Sequence, residues 1–306
     1  MARSIKQWQM KVIGWMLAVS SLLLILVSFP SLVLSQDSQP DPYSAEAVGP
    51  VSEVATSTAE LGEQVNIQSQ LAQLIEQYYQ DVEDYRESER KYLIARETYY
   101  KNVTLTSQSE AIKQGQELIK SRSKVLHSYF SYLQKDLENT LGIQLQDKVV
   151  MLNKLGTILS DLESADRNAG TIQSRAQLND IFNQLNLQQG NYKRVAYSAL
   201  ALIKIGQLQS AIDQSLATRE MVSVWLTEAN LTASSRAKKE QGLAEVDGLI
   251  QNARNNLSEV IRHWQSNSQE AGYYESAYKT FQDKAEYSYL QLRQAHAFLD
   301  EIVNTL

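Results

Sequence analysis

The chain predicts an all-α fold: an elongated bundle of long, antiparallel, coiled-coil-like helices behind an N-terminal apolar segment and a flexible linker. Three observations predict it. First, all four prolines, Pro30, Pro40, Pro42 and Pro50, fall near the N-terminus. None occurs from Val51 to Leu306, a stretch where average usage would place roughly a dozen. Proline costs about 3 kcal/mol inside a helix and is tolerated in loops, so its absence marks helices with short connections. Second, apolar residues recur at seven-residue spacing near both ends of this body. Third, no run alternates apolar and polar residues between turn signals, so no strand is predicted.

Bulk composition narrows the function classes. The chain has 306 residues, an apolar share of 43% and a formal net charge of -6. That apolar content can bury a core. Without Arg3, Lys6 and Lys11 a processed form would carry -9, that is -6 minus 3. Nucleic-acid binding and polybasic membrane contact both need clustered Lys and Arg, so neither is expected. There is no cysteine, which excludes a disulfide framework, a thiolate zinc site, an iron–sulfur cluster and a cysteine nucleophile.

Residues 1–35 read as a signal peptide or an N-terminal membrane anchor. Met1 to Lys11 is basic, and Val12 to Leu34 is apolar and uncharged. As a helix the apolar segment would be about 35 Å long, enough to span a bilayer. Its densest part, Leu22 to Val27, includes Leu24. Cations precede it and Asp37, Asp41 and Glu46 follow, a bias that leaves the N-terminus inside and sends the body across. Two fates fit. Pro30 ends the apolar helix early, and the residues up to Ser35 suit a signal peptidase. Against this, the run is long for a cleavable signal, and Trp15 stands where an interfacial aromatic anchor would. No cysteine follows, so lipoprotein processing is excluded. Either fate places the body outside the cytoplasmic membrane: periplasmic, at the cell surface or secreted. Residues 36–59 are rich in Pro, Ser and Thr and read as a flexible linker.

The body, 60–306, is read element by element. Leu71, Tyr78, Tyr85, Tyr92 and Tyr99 stand seven apart on a first long helix, the mark of a helix lying along another helix. It is expected to end near Asn102, with Ser107 or Ser109 capping the next. Ala111 to Leu141 carries Ile112, Ile119, Leu126 and Leu133 in one register, with Gly142 as its C-terminal cap. Leu145 to Leu162 carries Val149, Leu152, Gly156 and Leu159. Asn168–Gly170 is the clearest break and is expected as a hinge between two sub-bundles. Thr171 to Leu187 is a weaker helix. Gln189–Gly190–Asn191 reads as a turn, with an uninterrupted helix as the alternative. Tyr192 to Leu231 is long, and Ala233 to Arg236 marks the next turn. Ile250, Ala253, Leu257, Val260 and Trp264 form one seam. After a turn at Asn267–Gly272 the last helix carries two apolar lines: Ala271, Tyr278, Ala285, Leu292, Leu299, Leu306, and Tyr274, Phe281, Ser288, Ala295, Ile302.

No motif here carries chemistry. None of His127, His263 and His296 has Glu three residues earlier, so the di-metal helix motif is missing. Glu259 and His263 share a face, a pairing common by chance. The acidic run Asp81, Glu83, Asp84, Glu87, Glu89 is interleaved with Arg86, Arg90 and Lys91, as on a solvated helix face. Calcium loops need a glycine-bearing loop instead. Glycines are isolated, so no phosphate cradle exists. Asn102, Asn230 and Asn256 match the glycan-acceptor pattern, which means little in a bacterium. Tyrosine, at 16 residues, is unusually frequent. The plain reading is a wet helical seam; the sharper one is an aromatic surface for a glycan or partner. The interaction seam is assigned to Tyr78, Tyr85, Tyr92, Tyr99, Tyr274, Tyr278, Phe281 and Leu292, and the leader to Lys11, Trp15, Leu24 and Ser35. Val195 to Ile205 is the most apolar internal stretch and reads as buried core.

The segment Ser131 to Ile143, followed by Lys148 to Leu155, resembles uncharacterised exported helical proteins of candidate-phylum bacteria, over about residues 110–220. The resemblance implies a bacterial envelope setting and carries over no functional residue. The sequence therefore predicts an exported cell-envelope protein, structural or interacting, with no cofactor and no catalysis. Its expected partner is a protein or envelope component, self-association included, and the membrane itself if the leader is uncleaved. The alternative is a helical pore-forming or membrane-remodelling protein, with Val195–Ile205 as the inserting part.

Overall fold

Six helices follow one another in the computed structural model, which describes residues 58–229, 231–267 and 274–304, with side chains at 66–229, 231–266 and 274–304. They are α1 (Thr58–Lys101), α2 (Leu105–Asn139), α3 (Leu145–Ala169), α4 (Arg175–Glu228), α5 (Ala233–Asn267) and α6 (Tyr274–Asn304). No strand occurs among the described residues. Lys11, Trp15, Leu24, Ser35 and most of the linker lie outside them, as do Ala271 and Leu306 of the first seam line.

The helix ends have local causes. Thr104, not Ser107, is the N-cap of α2; its hydroxyl accepts the Ser107 N–H at 3.1 Å, and the Ser107 hydroxyl accepts the Thr104 N–H at 3.1 Å. That reciprocal pair is a capping box. Ser174 and Gln177 build the same device at the start of α4. At the end of α2 the cap is Thr140, whose N–H and hydroxyl both donate to the Asp136 carbonyl. Gly142 stands in the turn beyond it with φ of +76°, a conformation glycine adopts without the Cβ penalty.

Sequential helices run antiparallel, so α4 lies parallel to α2 and to α6. Along its first half, α4 packs with α1, α2 and α3: Phe182 lies 5.7 Å from Tyr92 of α1, Arg122 of α2 donates to Asn186 at 3.2 Å, and Leu178 and Leu185 share a cluster with Ala165 and Ala169 of α3. Along its second half it packs with α5 and α6: Arg219 donates to Asp247 at 2.7 and 2.8 Å, and Ser215 meets His296 at 3.0 Å. Both groups of helices belong to one compact unit, Thr56–Leu306. The break after Asn168 is the α3–α4 turn, inside the first group. The change of partners falls further on, along α4 itself.

The second group shows why the C-terminal pattern is so regular. Leu243, Val246, Ile250, Ala253, Leu257, Val260 and Trp264 of α5 are buried at alternating spacings of three and four. Phe281, Ala285, Ser288, Leu292, Ala295, Leu299 and Ile302 of α6 repeat that rhythm. A 3.5-residue repeat keeps one stripe facing a neighbouring helix. Each fully buried Leu, Ile or Phe contributes about 1.5–3 kcal/mol of transfer free energy. Ser288 is polar yet has no exposed surface; it accepts the Asn256 side-chain amide at 2.7 Å. Asn256, which also donates to the Lys284 carbonyl at 2.9 Å, is thereby a packing residue between α5 and α6.

The turn expected at Gln189–Gly190–Asn191 is absent: α4 continues through it for 54 residues, about 80 Å. Gly190 is exposed, and a Cβ built there would meet nothing within 4 Å. The capping box at Ser174 and the buried face of Leu178, Leu185 and Tyr192 outweigh the roughly 1 kcal/mol a mid-helix glycine costs. Gly190→Ala is therefore expected to stabilise the protein by about 0.5–1 kcal/mol, read as a rise of about 2 °C in Tm. Helix α4 ends at Glu228, and Ala233–Arg236 is already helix α5.

Candidate functional site

An aromatic junction forms where the two groups of helices meet. Tyr78 of α1 lies 5.8 Å from Tyr129 of α2, centroid to centroid, and Tyr129 lies 5.6 Å from Phe130. Phe130 meets Tyr192 of α4 edge-on at 6.0 Å. Five residues along α4, Tyr197 lies 5.3 Å from Tyr278 of α6, which stacks on Phe281. Trp264 of α5 meets Tyr278 and Phe281 edge-on. Offset and edge-to-face pairs of this kind add about 0.5–1.5 kcal/mol each beyond area burial.

The Val195–Ile205 stretch is explained by this junction. Val195, Tyr197, Ala199, Ala201 and Ile203 are buried, and the residues between them are half-buried. At this level α4 is flanked by the α2–α3 turn and by α6, so it is covered nearly all round. Lys204 is accommodated by laying its ammonium 4.2 Å from the Tyr289 ring centre, a cation–π contact.

Burial sets the chemistry of the phenols. It pushes Tyr278 up to about 12, and Tyr132 likewise with the nearby Asp136 adding to the effect. Tyr78, Tyr85, Tyr129 and Tyr197 are raised further, again by desolvation first. Such groups are neither acids nor nucleophiles at neutral pH. The hydroxyl of Tyr197 is buried without a hydrogen-bond partner among the described residues. A stability effect follows. Above pH 10 the unfolded chain loses phenolic protons that the folded chain keeps, so unfolding is favoured as pH rises. Stability should be unaffected by these groups below about pH 10 and fall between 10 and 12, by about 1.4 kcal/mol per tyrosine per pH unit. Urea midpoints measured across that range check this.

Below the junction a polar layer crosses the first group. Burial lowers the pKa of the Arg122 guanidinium from its ordinary value, against the pull of Tyr85, Tyr192 and Glu89. It donates to Asn186, and Tyr85 donates to Glu89 at 3.4 Å. Sequence reasoning passed over Arg122, although Ile119, Arg122, Leu126, Tyr129 and Leu133 share a helical stripe. A cation on that stripe was the available signal. Asp81 was read with the solvated acidic face. It is 8% exposed and accepts a hydrogen bond from Gln77 at 3.0 Å, while Glu83, Asp84 and Glu87 do face solvent.

The seam residues are placed as follows. Tyr78, Tyr85, Phe281 and Leu292 are buried, and Tyr92, Tyr99, Tyr274 and Tyr278 are half-buried. Tyr92 packs on Phe182 of α4, and Arg175 lies over both Tyr99 and Tyr100. His127 stands between Ser131 at 3.4 Å and Glu163 at 3.6 Å. This looks like a triad, but its groups are open to water, with the histidine side chain 41% and the glutamate 54% exposed. No cluster of three or more His, Cys, Asp or Glu with metal-binding geometry occurs among the described residues. A shallow groove of about 260 Å³ runs between Lys91, Ile94 and Thr98 of α1 and Ser107 and Glu110 of α2.

No family model matches the chain, and neither a curated protein nor a solved structure is significantly similar to it.

Proposed function

We propose that this chain is an exported, non-catalytic protein of the cell envelope, an elongated helical bundle that presents its surface to a protein or envelope component, its own kind included. The observation that carries the reading is the pairing of an apolar, cation-led leader with a body of six long helices. The aromatic residues favour a packing role over a binding one: the Tyr78 ring contacts Tyr129, and the Tyr197 ring contacts Tyr278, each across helices. Cell fractionation with protease accessibility of intact cells tests the location. The body should be cut from outside the cytoplasmic membrane; retention in the cytosol overturns the reading. The N-terminal residue of the isolated protein decides between cleavage near Ser35 and an anchor that keeps Lys11, Trp15 and Leu24.

One observation favours a second reading, a pore-forming or membrane-remodelling protein. Helix α4 is long and apolar enough to cross a bilayer, with a mean hydropathy of 1.2 over its best window, 44% of which is buried. Release of dye from vesicles by micromolar protein supports that reading, and its absence removes it.

A further inference from the structure

We draw no further inference here: the strongest candidate, the exposed apolar patch of Leu141, Leu145, Val149 and Val150 at the α2–α3 turn and the start of α3, carries nothing because nothing in the structure shows what covers it.

Discussion

Gly206→Val is expected to unfold or severely loosen the middle of the protein. At this point the α2–α3 turn is pressed onto α4 with no side chain between them. A Cβ on Gly206 would collide with the Ile143 side chain, and would lie 2.6 Å from the Leu141 carbonyl oxygen and 2.7 Å from the Thr140 methyl. All three neighbours belong to the turn that Gly142 bends at φ of +76°, and a carbonyl oxygen cannot rotate out of the way. Gly142 is as confined: its own Cβ would fall on the Gly206 carbonyl. Overpacking a well-filled interior costs about 1–3 kcal/mol, and here backbone must move as well, so a loss of about 3 kcal/mol or more is expected. For a body of this size that lowers Tm by roughly 6–12 °C. Gly190→Ala on the same helix, with nothing in its way, serves as the control of opposite sign. If both variants melt alike, the close approach of turn and helix is wrong.

Leu292→Pro has the second large effect. Leu292 is 3% exposed and sits in the cluster with Ile250, Leu257 and Leu299. Proline there removes the N–H that bonds the carbonyl one turn back, and its ring strikes that carbonyl, about 3 kcal/mol or more. It also deletes a buried side chain, worth about 2–5 kcal/mol when truncated to alanine. The sum approaches the whole stability of an ordinary domain. Circular dichroism should show the loss of much of α6, and of α5 with it, because each buries the stripe of the other. Leu292→Ala separates the two causes: it should keep the helical signal and lower only the urea midpoint.

These two variants also show where the sequence was readable. The α5–α6 seam was legible because its spacing is strict, and from Phe281 to Ile302 both of its lines are buried. The long helices were legible from the missing prolines. Two features were hidden. The uninterrupted course of α4 through Gly190 depends on tertiary burial of Leu185 and Tyr192, which outweighs a local turn signal. The meeting of Gly142 with Gly206 depends on two positions far apart in sequence, neither of which announces a neighbour. The junction was half legible. Tyr78 and Tyr278 stood out in tyrosine-rich segments, whereas Tyr129 and Tyr197 were isolated and became visible only once four helices converged on them. Arg122 was missed because a single cation on an apolar stripe is read as an edge residue until helices close over it on several sides.

Helix α4 backs both groups of helices with one unbroken ladder of peptide hydrogen bonds. A disturbance on one side of its midpoint therefore has no loop in which to dissipate. Fraying α4 at the junction strips a wall from each neighbour at once, so heat should melt the molecule as a single cooperative block, and tension applied at one terminus should be borne at the other as it is along a beam.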